Sequence, residues 1–420
     1  MSGRRAVWTK VCRVARTSAV LATFAGLPLA QGQKFKTLYS FTGGNDGGQP
    51  HGPLLLDEKG NVFGTAYWSG NGLDNGTVFK VSATGKFTLL YAFPGQGSNG
   101  QYGANPDGGV VRDSKGNFYS TAESGGQYGL GVVFKLSPAG EETVQHDFNG
   151  SFTDGATPTS SLLPAPSGIF YGSTLEGGSG KCRGLPHDCG IVFSIDQKSN
   201  FTIIHDFQGQ PRDGFGPWGN LVQDAQGNLY GTTAGGGDQA GLNCDGLLYG
   251  CGAVFKLSPN SDGTWTETLL YSFTGGVDGE EPLGLALDAQ GNLYGAALFG
   301  GNPACVGGCG TLYKLDAAGN FTVLHSFTGG KDGAGPGGVL LDPSGNFYGA
   351  TAGGGNSGCR FGCGVVFKLD TKGKFTLLHS FSGPDGDNAG FLIFDKTGTI
   401  YGTTGSGGTS NWGTIFEVKP

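Results

Sequence analysis

Three things are in short supply in this chain: basic charge, histidine and uninterrupted apolar length. Lys and Arg number 26 against 33 Asp and Glu, so no basic stripe is available to displace counterions from phosphates, which excludes nucleic acid as a partner. After residue 32 no apolar run is long enough to cross a bilayer. Helix has little room either. Only one glycine-free run beyond that point exceeds a dozen residues, Ile191 to Gln208, and it divides into two strand-like pieces, IVFSI and FTIIHDF. Glycine is what abounds: 85 Gly and 19 Pro make about a quarter of the 420 residues, a level at which disorder is an option. The 29 Phe, 14 Tyr and 5 Trp remove that option, because a disordered chain carries few large rings. The glycines follow no every-third period, which excludes collagen.

Residues 1–32 read as a targeting leader. Arg4, Arg5, Lys10, Arg13 and Arg16 precede an apolar stretch from Ser18 to Ala30 that is too short for a membrane span. The small-residue pattern Ala30-Gln31-Gly32 puts the mature start near Gln33, with cleavage after Ala30 as the alternative; the Arg4-Arg5 pair also fits a twin-arginine signal, a basic n-region being the simpler reading. The leader holds five basic and no acidic residues, so without it the formal charge moves from −7 to −12. The expected product is exported, soluble and monomeric, a single domain over residues 33–420 released into the periplasm or medium.

Internal repetition governs the rest. LYSF at 38–41 returns as LYAF, VQHDF, IIHDF, LYSF, LHSF and LHSF, ending at Phe41, Phe93, Phe148, Phe207, Phe273, Phe327 and Phe381. The unit is about 55 residues long. Each copy has four short stretches rich in β-branched and aromatic residues and bounded by Gly, Asn or Asp, as in PLLLD, NVFGTA, TVFKV and FTLLYAF, the signature of strands. Four antiparallel strands repeated seven times predict an all-β, seven-bladed β-propeller, with a β-helix or open solenoid as the competing architecture. A lone strand at 35–41 and another at 414–418 are complementary fragments of one blade, so their pairing is expected to close the ring and hide two raw edges. With strands named A to D from the channel outward, the D to A and B to C loops emerge on one face.

The repeat LYSFxGGxDGxxPxGxLLxDxxGNxYGTTxxGG…GTVFKL, spanning residues 35–418, resembles the GloVer-type tandem repeat family of exported bacterial proteins. That resemblance implies a propeller-like exported protein with a variable C-terminal anchor and no established activity. Because the sequence stops at the last strand, release is expected in place of tethering.

A residue repeated in every blade serves the blade, whereas a catalytic centre is asymmetric. Asp57, Asp113, Asp224, Asp288, Asp342 and Asp395 each lie three residues before a Gly, which fits an A to B hairpin turn whose Asp bonds its own backbone; Ala165 stands there in blade 3. A second column, Asp46, Asp154, Asp213, Asp278, Asp332 and Asp385, precedes Gly in the D to A loop. Six such carboxylates around a channel mouth could hold Ca²⁺, although an Asp-Gly turn is the simpler reading and no EF-hand spacing appears; no cofactor and no other metal is expected. His146, His205, His325 and His379 occupy the strand D position filled elsewhere by Tyr39, Tyr91 and Tyr271, which reads as a half-buried ring with a hydrogen-bonded edge. His51 and His187 remain outside any column. Cys182 with Cys189, Cys244 with Cys251, Cys305 with Cys309, and Cys359 with Cys363 form four local pairs in B to C loops. Oxidation to disulfides is expected over zinc, since C-x-x-C spacing is absent.

Trp68 and Trp412 in B to C loops, and Tyr102, Phe215 and Trp218 in D to A loops, break the repeat on that face. Aromatics on stiffened loops beside Asp suit stacking on sugars or anchoring a protein. The expectation is a binding module for a glycan or an extracellular protein, with no G-x-S-x-G, H-E-x-x-H or Walker pattern to indicate catalysis. The competing readings are a propeller-type lyase, hydrolase or lactonase, Ca²⁺-dependent in some forms, and a structural envelope component.

Overall fold

Short strand-forming stretches broken by glycine leave no room for helix, and the computed structural model contains none among the residues it describes, 34–68, 74–94, 102–182, 185–186, 189–209, 213–237, 244 and 250–420. None of these residues forms a helix long and apolar enough to cross a membrane. The leader expected over residues 1–32, and His187, lie outside the described residues.

Seven antiparallel sheets of A to B to C to D order form the seven blades of a β-propeller. Blade 1 runs through Leu55–Leu56, Val62–Ala66, Thr77–Val81 and Phe87–Ala92. Blades 2 to 6 occupy residues 111–147, 155–206, 214–272, 280–326 and 334–380, and blade 7 takes Asp387–Phe394, Ile400–Ser406, Thr414–Lys419 and, as its fourth strand, Lys34–Ser40. The closing pair is antiparallel, from Lys34 opposite Lys419 to Ser40 opposite Thr414, within a residue of the expected limits. At the centre the A strands of neighbouring blades meet main chain to main chain. Gly52 lies on Gly108 and Gly109, and Gly219 on Gly284, with no room for a Cβ. Phe391 of blade 7 fills the space beside Gly338 and reaches toward Gly284 of blade 5.

Packing between blades rests on the repeated rings. All seven terminal phenylalanines of strand D, from Phe41 to Phe381, are fully buried. Each meets the strand C ring of the next blade at 5.1–5.5 Å and 60–80°, as Phe41 does with Phe79 and Phe273 with Tyr313, the edge-to-face arrangement that the ring quadrupole favours. In six blades the strand C ring in turn lies over a strand B glycine, and in blade 2 Ser120 stands opposite it. A Cβ at Gly64 would stand 2.8 Å from Phe79 Cζ, so this glycine is required for space and not for its dihedral angles.

The A to B turn forms as expected. Asp57 Oδ1 accepts the N–H groups of Lys59 and Asn61 at 2.9 Å while Gly60 takes φ 73°; in blade 3 the same turn closes at Ala165 with Gly168 at φ 80°. The second Asp column behaves differently from a ring of ligands. Asp46 accepts from the Thr42 N–H, the Thr42 hydroxyl and the Tyr39 hydroxyl, and Asp278 repeats this with Thr274 and Tyr271. Asp154, Asp332 and Asp385 do so with His146, His325 and His379 at 2.8–3.1 Å. Asp213, the sixth, faces His205 in the same way, at 3.5 Å. Each is turned to the outermost strand, where it locks the end of strand D to the following loop.

The far side of that Tyr or His is covered by a residue near the start of the next blade's strand D. Phe35, Phe87, Phe201, Phe321 and Phe375 stack on His379, Tyr39, His146, Tyr271 and His325 with centroids 3.6–4.8 Å apart. Two joints lack the phenylalanine. Between blades 1 and 2 the loop carries no Asp, and Glu142 stands in its place, beside Tyr91 and accepting the Gly103 N–H at 2.9 Å. Between blades 3 and 4 Glu267 stands beside His205 and Asp213. Burial pushes Glu142 up to about 7; burial and then the charge of Asp213 push Glu267 upward as well.

All four expected cysteine pairs are disulfides. Each packs against a glycine of the adjoining D to A loop: Gly209, Gly275, Gly329 and Gly383. In the chain-entropy account loops this short contribute roughly 2–2.5 kcal/mol each.

Two outcomes follow. Phe93→Ala removes a ring with no solvent exposure and should cost about 3–5 kcal/mol in chemical denaturation, with Phe93→Leu well below that. The native state holds a proton on Glu142 near pH 7 that the unfolded chain releases near its ordinary 4.5. This contribution is complete below pH 4.5 and is lost as pH rises through 7. Glu142→Gln should therefore match the parent at pH 4 and exceed it at pH 8 by on the order of 2–3 kcal/mol in urea titrations.

Candidate functional site

With the recurring polar groups consumed by turns and joints, the residues that break the repeat define the site. Strands B and C pair in one register in all seven blades, and the residue just beyond the one in strand B that faces the start of strand C is Tyr67, Glu123, Leu175, Ala234, Leu298, Ala352 or Gly405 in turn. Blades 3 to 7 are apolar or small there. Blades 1 and 2 are not.

Tyr67 donates its hydroxyl hydrogen to Glu123 Oε2 at 2.8 Å, across the boundary between blades 1 and 2. Its ring lies 5.6 Å from His51 at 29° and 4.9 Å edge-on to Trp68. Nδ1 of His51 stands 3.3 Å from Asp107 Oδ1, with the two side chains 36% and 20% exposed, so the pair is accessible. Gly405 of blade 7 leaves the space that His51 takes; a Cβ there would stand 3.4 Å from the imidazole. Beneath them Asn105, at φ 56°, donates from Nδ2 to the carbonyls of Tyr67 and Asp74 and accepts from Ser124 Oγ at 2.7 Å. A non-glycine residue in the left-handed region carries a conformational cost, met here by three side-chain hydrogen bonds.

Seven residues in this conformation, one at the head of each A strand, encircle the mouth: Gln49, Asn105, Thr157, Gly216, Glu281, Gly335 and Asn388. Six of them donate their N–H to the B to C loop of the preceding blade, as Gln49 does to Trp412 O and Gly216 to Cys189 O. The site thus stands on a backbone rim that fixes each loop to its neighbour.

The five aromatics singled out in the sequence separate into different roles. Trp68 is half-buried, its main chain bridged to Gly48, and it joins the cluster. Trp412 covers Gly43 and Gly48, the place that disulfides take in other blades, and serves ring closure. Phe215 is 4% exposed and lies under Gly235 in the core, which leaves no face for a ligand. Trp218 packs half-buried against the core of blades 5 and 6, its main chain bonded to Thr232. Tyr102 is half-buried beside Tyr91 at the joint of blades 1 and 2. Asp107, Tyr67 and Glu123 were not among the expected site residues; the available signal was their departure from the small or apolar residues of the other blades.

Solved structures share the architecture. The extracellular domain of a hybrid two-component system from B. thetaiotaomicron is 14% identical with a TM-score of 0.54, the match covering 92% of this chain and 41% of that one. The extracellular domain of a one-component system from the same organism is 9% identical with a TM-score of 0.52, over 91% and 39%. A puromycin-hydrolyzing peptidase from Mycobacterium tuberculosis is 11% identical with a TM-score of 0.51, over 86% and 50%. The chain thus spans two fifths to one half of the length of these proteins, and at such identities the likeness is one of fold. No curated protein matches. The Gloeobacter/Verrucomicrobia repeat model matches residues 26–185 and 237–420. The units that build these blades are therefore that repeat, and the chain belongs to the Gloeobacter/Verrucomicrobia repeat family.

Proposed function

We propose that this protein is an exported binding module that takes a glycan at the rim of blades 1 and 2. The carrying observation is the Tyr67, Trp68, His51, Asp107 and Glu123 cluster, which joins half-buried rings to carboxylate and imidazole groups in one sector of the mouth. Sugars present apolar C–H faces that stack on aromatic rings and hydroxyls that bond to carboxylates, so the group types match. Export is supported by four disulfides, which persist in oxidising compartments. Asp46, Asp278 and Asp332 offer little to Ca²⁺, since both oxygens of each already accept from a Thr and from a Tyr or His.

The His51–Asp107 pair favours a second reading, acid-base chemistry on the bound ligand, because an accessible imidazole oriented by a carboxylate is a recurrent general acid-base arrangement. A glycan array followed by calorimetry tests both. Trp68→Ala should weaken binding by at least tenfold, and Tyr67→Phe by a smaller factor. Binding to no glycan, or binding indifferent to Trp68→Ala and Asp107→Ala together, overturns the glycan reading and turns the search to extracellular proteins. Conversion of the ligand by the parent but not by Asp107→Asn, with binding retained, makes the cluster a catalytic centre.

A further inference from the structure

The seven joints between blades provide their own controls, and one departs from the rest. In three joints His Nε2 lies 2.8–3.1 Å from its Asp; between blades 3 and 4 the His205 to Asp213 distance opens to 3.5 Å. This is also a joint where the stacking phenylalanine is replaced by a carboxylate, Glu267. His205 Nε2 and Glu267 Oε1 are both buried without a hydrogen-bond partner. Asp213 is held in place by main chain, Oδ2 accepting from Gln208 N–H and Oδ1 from Gly214 N–H, both at 2.7 Å. One imidazole nitrogen and two carboxylate oxygens then lie within 4.8 Å of one another. Two carboxylates, one buried and one half-buried, thus share a single imidazole as counter-charge, and its Nε2 makes no hydrogen bond.

We propose that His205, Asp213 and Glu267 bind a divalent transition-metal ion, with zinc the best match, which clips blade 3 to blade 4. One nitrogen and two oxygens are zinc donors, a water completes the tetrahedron, and two carboxylates neutralise the dication. Tetrahedral zinc with the usual bond lengths sets its donor atoms roughly 3.3–3.5 Å apart. The His205 to Asp213 separation already has that value, and Glu267 closes the remainder by side-chain rotation. The two main-chain N–H groups on Asp213 are the outer contacts that orient a ligating carboxylate. No cysteine competes, since the eight beyond the leader are paired.

The repeats also supply the test variants. Glu267→Phe restores the residue of five other joints, and His205→Tyr the residue of three, so both substitutions have a folded precedent in this molecule. The exported chain, free of any polyhistidine tag, is stripped with chelator, exposed to Zn²⁺, desalted and analysed for metal by mass spectrometry, with affinity from calorimetry and Co²⁺ absorption reporting the ligand field. We expect one zinc per chain, at least 100-fold weaker binding in both variants, a visible Co²⁺ band in the parent alone, and a zinc-dependent rise in Tm that Glu267→Phe loses. Equal zinc uptake by the parent and a folded Glu267→Phe, checked by circular dichroism, overturns the proposal. So does a parent that takes up none, in which case the two carboxylates share a proton instead.

Discussion

The ring stands on one repeated contact, the edge of a strand D phenylalanine set against the strand C ring of the next blade. A four-stranded sheet cannot bury both of its own faces, so each blade depends on its neighbour to complete a core. The contact explains glycine in strand B as the absence of a side chain where the ring must lie, and a fully buried Phe at the end of every strand D. Composition follows from it: a chain with many glycines and many aromatics is one in which rings need hollows.

Around that apolar contact runs a polar one with the same period. The Tyr or His of strand D, the Asp of the following loop, and the covering ring from the next blade form a three-part joint at the outer edge. Its substitutions are informative because the number of blades is fixed. Where Asp is missing, Glu142 supplies a carboxylate from the neighbouring blade; where Asp is kept and Glu is added, the joint between blades 3 and 4 acquires a surplus of negative charge.

Fold, ring closure, disulfide pairing and the Asp-x-x-Gly turn were legible in the sequence because each is local or repeats at a fixed period. The relation between strand D His and loop Asp was not. The two columns are visible separately, but their pairing depends on how the strand end folds back on the loop. Trp412 and Phe215 looked like ligand-facing rings because they depart from the repeat, yet one fills the place of a disulfide and the other lies under a glycine. His51 stood out only as a histidine outside any column, since Asp107, its neighbour in space, lies in the next blade.

The pairing of Lys34–Ser40 with Thr414–Lys419 orders events in time as well as space. Among the described residues Lys34–Ser40 has Thr414–Lys419 as its only sheet partner, so it cannot pair until a strand some seven blades along the chain is available. Through that interval it is an apolar strand with open hydrogen-bonding edges, the kind of segment that a second chain can capture. A crowded setting that delays this meeting favours exchange of the strand between two copies over closure of one ring.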